Sequence, residues 1–359
     1  MVTEKIYIYR TGNSRRDTMT SIKKLAQFVG LGLATMGLVA CGGSGSSSGG
    51  GTGLMSLAVT DAPIDDAKHV WVEFTHVELQ PADDGERVVI CLDQEDAYLL
   101  DTSGGQASCP APAEPREIDL LALQGEESEY LFEGVAVPAG DYAWIRFYLK
   151  PDGGVSSPPL TNFLTSSYIV FKDETEAQLI IPGGLQAGLQ LVSGFAVPEG
   201  GSASFTVDFD LRNMIRPDNQ FEGYYRMRRA LRLVDNSTVG AITGTVDPNM
   251  LPPDYTCNGT TDDENILTCP GLSVFVYEAG EAQGIQLTAE GEDPLTSANV
   301  RYQFLEGPAN WEHQYTVGFL SEGSYDLKLT LDEDVLDEAD NVPVFTGETT
   351  VVDFPYMPE

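Results

Sequence analysis

After residue 53, apolar residues alternate with polar ones in short runs, and no long run follows the helical period of 3.6. Leu54–Thr60, Val70-x-Val72-x-Phe74, Arg87–Leu92, Asp141–Lys150, Tyr168–Phe171, Leu179–Ile181, Leu189–Val197, Ser202–Leu211 and Tyr225–Val234 all read this way, with Gly, Pro, Asp and Asn between them. A polar break at Asp235-Asn236-Ser237-Thr238 is followed by a second series: Val239–Val246, Leu272–Tyr277, Ala298–Phe304, Tyr315–Phe319, Tyr325–Leu331 and Thr349–Phe354. Ile118–Gln124 suits a strand or one helical turn. The pattern predicts an all-β chain of two antiparallel β-sandwich domains, at 54–235 and 239–359.

Charge narrows the partners. The 359 residues carry 55 acidic against 20 basic side chains, a formal charge of −35. Six of the basic residues (Lys5, Arg10, Arg15, Arg16, Lys23 and Lys24) precede Cys41, so the remainder is more acidic still. Such a surface repels nucleic acid phosphates, so no nucleic-acid partner is expected. It keeps the chain hydrated and favours cations.

The N-terminus reads as an export signal. Lys23 and Lys24 precede an apolar run, Leu25–Leu38, of the length of a secretory signal core and too short to span a bilayer comfortably. It ends at Leu38-Val39-Ala40-Cys41, which resembles a bacterial lipoprotein cleavage and lipidation site. The resemblance implies a signal peptide over 1–40, acylation of Cys41 and a membrane partner through the lipid, since several acyl chains hold far more firmly than one. Met19 offers a second start for a compact signal. Gly42, rather than aspartate, follows the cysteine, which by the same resemblance points to the outer membrane, periplasmic or surface-facing. Residues 41–53 form a Gly/Ser tether with a reach on the order of 20 Å.

Of five cysteines, Cys41 is taken by lipid, leaving Cys91, Cys109, Cys257 and Cys269. An even remainder in an oxidising compartment suggests disulfides, and proximity favours Cys91–Cys109 and Cys257–Cys269. A zinc site fits poorly, because no C-x-x-C pair exists and histidines number only three.

Leu57-Ala58-Val59-Thr60-Asp61-Ala62-Pro63, followed by Val70-x-Val72-x-Phe74-x-x-Val77-x-Leu79, resembles the opening of the DUF4382 family. Ile118-Asp119-Leu120-Leu121, with Val137-Pro138-Ala139-Gly140-Asp141-Tyr142 running into Ile145-Arg146-Phe147, is similar to its middle, and Val207–Leu211 with Leu231–Val234 to its end. The family is uncharacterised, so the resemblance implies a domain and a lipoprotein setting, with no activity and no binding residues. Gly244-Thr245-Val246, Val274–Tyr277 and Gly323-x-Tyr325-x-Leu327 resemble the carboxypeptidase-regulatory-like, transthyretin-like sandwich, a spacer or binding support.

Three clusters admit specific roles. Asp61-Ala62-Pro63 ends a strand, with the carboxylate placed to cap a turn. Asp208 and Asp210 share one face of a strand, and pairing it with the next would set them beside Arg226, Arg228 and Arg232 as a structural ion-pair ladder; an anion site for acidic glycan is the alternative. Asp332, Asp334, Asp337 and Asp340 lie in the densest acidic run and could share a Ca²⁺, the one cofactor suggested, although the run lacks the glycine and distal glutamate of an EF-hand loop; a solvated acidic loop is the other reading.

No nucleophile–base pair, H-E-x-x-H or phosphate loop stands out, and His69, His76 and His313 give little catalytic material. The expectation is a non-enzymatic, membrane-anchored envelope protein binding carbohydrate, matrix or another envelope protein. A purely structural envelope component is the alternative, with a glycan-acting enzyme behind it.

Overall fold

Alternation over 67–81 carries a phase jump, because Val70, Val72 and Phe74 are followed by Val77 and Leu79, three residues on rather than two. In the computed structural model all five side chains are fully buried, and the strand Ala67–Pro81 shifts register between Phe74 and His76. The extra residue, Thr75, forms a bulge that keeps one side of a 15-residue strand facing the core throughout. The structure describes residues 7–9, 51–62, 67–94, 96–100, 108–110, 114–152, 162–260, 266–280, 294–304, 311–332 and 334–357. The lipidation site expected at Leu38–Cys41 and the boundaries expected around it lie outside the described residues.

Strand Ala67–Pro81 is the spine of the larger sheet of the first unit. Its first half pairs with Leu164–Phe171 and Arg116–Asp119, its second half with Gly140–Leu149 and Val88–Leu92. The smaller sheet runs Leu231–Asp235, Ser202–Asp210, Thr52–Ala62, Glu129–Pro138. Phe74 and Phe147 of the larger sheet meet Phe209 of the smaller one edge-on, with ring centroids 6.0 and 5.8 Å from it. Burying each such ring contributes about 1.5–3 kcal/mol. Residues 118–124 combine both expectations: Arg116–Asp119 is a strand and Leu120–Ala122 a single 3₁₀ turn.

A second, separate core gathers around Ile242, Val274, Val300, Tyr315 and Leu327. Its sheet runs Thr349–Val351, Val239–Val246, Trp311–Ser321, Thr296–Phe304, Ile266–Glu278, Gly323–Leu331, Asp334–Val344, with Tyr7–Tyr9 antiparallel to Thr349–Val351. The chain is all-β as expected, but among the described residues three strand pairs run parallel: Thr52–Ala62 with Ser202–Asp210, Glu176–Ile180 with Tyr225–Met227, and Val239–Val246 with Thr349–Val351. Parallel neighbours need long crossovers, which alternation alone does not reveal.

The two units share a corner motif. Tyr142 Oη donates to the Pro138 carbonyl and Tyr325 Oη to the Ser321 carbonyl, each at 2.7 Å and each four residues back across a G-x-Y turn. Burial pushes the Tyr142 phenol up to about 12.

Candidate functional site: an open aromatic face and a polar seam

Because side chains alternate across a sheet, the strand that buries Val77 and Leu79 must present His76, Glu78 and Gln80 on its other side. Its neighbour buries Ile145 and Phe147 and presents Trp144, Arg146 and Tyr148. Register sets these directly opposite: His76 with Tyr148, Glu78 with Arg146, Gln80 with Trp144. His76 and Tyr148 stack at 4.2 Å between centroids. Tyr148 Oη donates to Glu78 Oε2 at 2.9 Å, and Arg146 Nη2 donates to Gln190 Oε1 at 2.8 Å. The Arg146 guanidinium lies 4.5 Å from the Trp144 ring centre, and Arg87 lies 5.6 Å from the same ring. Trp71 continues the row on the same strand, stacked on His69, whose Nδ1 lies 2.6 Å from Asp119 Oδ2. Lys150 Nζ donates to Glu73 Oε1 at 2.9 Å.

The electrostatics of this face are self-contained. Burial lowers the His76 pKa, with Glu78 working against it, which favours the neutral ring in its stack with Tyr148. Burial is also the main cause raising the Tyr148 phenol, which stays a hydrogen-bond donor. The result is a row of indole, phenol and imidazole rings on one side of the sheet, edged by guanidinium, carboxylate and amide groups.

The second notable region is the seam between the units. A bulge in Trp311–Ser321, opposite Ala241, turns Gly318 and Phe319 away from their sheet, with Phe319 at φ 54°. Gly318 N donates to the Gly125 carbonyl at 3.2 Å, and a Cβ on Gly318 would sit 2.6 Å from that oxygen. Arg232 Nη1 donates to the Phe319 carbonyl at 3.1 Å, and the Arg212 guanidinium lies 4.5 Å from the Phe275 ring centre. Beside these contacts is a cavity of about 150 Å³, lined from one unit by 124–127 and from the other by Asn299, Arg301, Gln303, Gln314 and Thr316 among others.

Cys91 is bridged to Cys109 and Cys257 to Cys269. The ion-pair ladder takes a different form from the one expected. Asp208 pairs with Arg232 at 2.9 Å, since Phe205–Phe209 is registered against Leu231–Asp235, whereas Arg226 lies in the other sheet. There Arg226 Nε donates to Asp218 Oδ2 at 2.7 Å, and Arg228 is exposed. Although burial opposes it, the amides of Gln220 and Phe221 together with Arg226 hold the Asp218 carboxyl below its ordinary range. Asp210 accepts from Asn213 N at 3.1 Å and caps the one-turn helix Leu211–Met214.

Asp61 does not cap a turn. The residue is 4% exposed, and neither carboxylate oxygen makes a hydrogen bond of normal geometry. Burial, then the charges of Asp208 and Asp210, push its pKa well above the ordinary carboxylate value, against the lowering effect of the Leu211 amide. The calcium reading is corrected as well. Asp334, Asp337 and Asp340 lie along one extended strand, with Asp332 in the turn before it. A strand advances about 3.3 Å per residue, so Asp334 and Asp340 stand roughly 20 Å apart, too far to share one ion. Among the described residues the one grouping of metal-ligand types is Cys257, Cys269 and His313, and its two sulfurs form a disulfide.

The aromatic strip was legible only in part. Trp144, Arg146, Tyr148 and Lys150 occupy one parity of a run whose other parity, Ile145, Phe147 and Leu149, marks the core. The seam had no such signal, because neither Gly125, in a turn, nor Gly318, inside the strand Trp311–Ser321, is marked out in the sequence until two units are brought together.

Residues 52–228, within the first unit, match the family described as domain of unknown function DUF4382, and the second unit lies outside the match. No curated protein matches the chain. Among solved structures, it is similar to a leucine-rich repeat protein from Bacteroides thetaiotaomicron VPI-5482, at 9% identity and a TM-score of 0.16 over 85% of this chain and 26% of that one. It is similar to a candidate cell adhesion protein from Bacteroides fragilis NCTC 9343, at 7% identity and a TM-score of 0.19 over 84% and 91% of the two chains. A third is GBS52, the minor pilin of Streptococcus agalactiae, at 11% identity and a TM-score of 0.17 over 85% and 99%. TM-scores of this size carry no functional conclusion.

Proposed function

We propose that this chain is a non-enzymatic, lipid-anchored protein of the outer membrane that binds carbohydrate through the open face of its first unit. The observation that carries the reading is the strip formed by Trp71, His76, Trp144 and Tyr148, edged by Glu78, Arg87, Arg146 and Gln190. A sugar ring offers an apolar C–H face and a rim of hydroxyls. Aromatic rings accept the first, while guanidinium, carboxylate and amide groups accept or donate to the second. Two of the chain's three tryptophans stand on this strip. Cys41, the tether and the two disulfides support an extracytoplasmic setting. The second unit, which we take as the transthyretin-like module, serves as a support.

A glycan array probed with the full chain and with Trp144→Ala tests this. Retention of a defined set of glycans by the first alone supports it, and no retention by either contradicts it. The structural alternative draws on the same face, since Glu78 is already engaged by Tyr148, Arg87 and Arg146. Under that reading Trp144→Ala lowers stability with no ligand to lose.

A further inference from the structure

We infer that the cavity at the seam is a second binding site, built for a small zwitterion such as a free α-amino acid. Its walls carry opposite charges on different units. Glu126 and Glu127 stand at the exposed mouth on the first unit, and Arg301, partly buried, lies on the second. The guanidinium must find its compensation locally, yet the side-chain hydrogen bond it makes among the described residues is a long contact from Nη2 to Gln124 Oε1 at 3.5 Å. Among the described residues no ion pair joins it to Glu126 or Glu127, although Glu127 is near enough to oppose the lowering of its pKa by burial. A guanidinium held apart from two carboxylates by an open cavity is an ion pair with its middle missing. Burial without a partner is costly, and a molecule charged at both ends supplies what each wall lacks.

Size and chemistry agree. A cavity of about 150 Å³ is of the size that holds one six-membered ring, which is also the bulk of an amino acid with a short side chain. The carboxylate would lie inward on Arg301, where a planar fork of donors meets two oxygens. The ammonium would lie outward between Glu126 and Glu127. Asn299, whose Oδ1 accepts from Ser273 Oγ at 2.9 Å, turns its amide nitrogen to the remaining duty of donor. Gly125 and Gly318 set the spacing of the two walls, because any larger residue at 318 would force them apart. A neutral sugar satisfies neither charge, an anion meets the two glutamates, and a simple amine leaves Arg301 unpaired.

Isothermal titration of the full chain with L-alanine, L-serine and L-glutamine, beside acetate, methylamine, the N-acetylated amino acids and glucose, tests the assignment. The expected result is binding of at least one free amino acid, with none by the singly charged or neutral probes at the same concentration. Arg301→Gln is expected to weaken that binding at least about tenfold. Glu126→Gln with Glu127→Gln, at exposed positions where folding is safe, is expected to do the same. No heat with any free amino acid at millimolar concentration overturns the inference. So does equal affinity in the glutamate double variant, or tighter binding of glucose than of the amino acids. Because Trp144 lies on a different face, Trp144→Ala leaves this binding unchanged, which separates the site from the proposed carbohydrate face.

Discussion

Arg232 and Asp208 stand opposite each other in register on antiparallel strands, with Nη2 2.9 Å from Oδ2, and the same guanidinium donates to the Phe319 carbonyl of the second unit. One side chain therefore neutralises a carboxylate that is 3% exposed and ties two β-units together. Arg232→Ala strands Asp208 without its partner. The expected loss is about 3 kcal/mol in urea unfolding. Asp208→Asn keeps a hydrogen-bond acceptor and should cost about 1 kcal/mol. Equal small losses from both would show that the pair carries little.

Asp61 gives a pH signature. Its folded pKa is raised, so the folded chain holds a proton there that the unfolded chain releases near about 4. The stability linked to that proton is fully present below the unfolded pKa and is lost as pH rises through the folded value. Asp61→Asn mimics the protonated form. The gap in stability between the Asp61→Asn protein and its parent should therefore widen in the variant's favour as pH rises above about 4. Asp173, Asp218 and Asp247, whose pKa values are lowered, impose the opposite slope on both proteins and cancel in the difference. A gap that does not change with pH would contradict the assignment.

The disulfides close loops of sequence separation 18 and 12. Losing either is expected to cost about 3 kcal/mol, and replacing both cysteines of a pair by serine should lower the melting temperature without altering the secondary structure. Peptide mapping under non-reducing conditions should recover Cys91 with Cys109 and Cys257 with Cys269, and no other pairing.

The proposed lipid anchor makes Cys41 the residue to test. Radiolabelled palmitate should enter the wild-type protein and not Cys41→Ser, and the variant should leave the membrane fraction. Label retained in the variant would place the lipid elsewhere or remove it from the account.

The fold class was legible because alternation is local: Val70 to Leu79 report both the strand and, through the doubled spacer at Thr75, its bulge. What alternation does not carry is pairing. Asp208 and Asp210 showed the right parity for ion pairs, but Arg226 pairs with the strand Ile215–Pro217 in the other sheet, where Asp218 is waiting. The acidic run at 332–340 looked like a cage because spacing in sequence was read as spacing around a point. As a strand, it is spread along a line. Asp61 read as a cap because aspartate before Ala-Pro at a strand end usually is one, and burial depends on what packs over it.

The central claim is that the open face of the first unit binds sugar. Affinity electrophoresis through the polysaccharide that the array selects measures it directly, comparing the parent with Trp144→Ala, Trp71→Ala and Tyr130→Ala, the last an exposed ring on the edge strand Glu129–Pro138 of the smaller sheet. The account predicts that the parent and Tyr130→Ala are retarded alike, while each tryptophan variant, folded by circular dichroism, loses about tenfold in affinity. Equal retardation of all four proteins, or none, would contradict it.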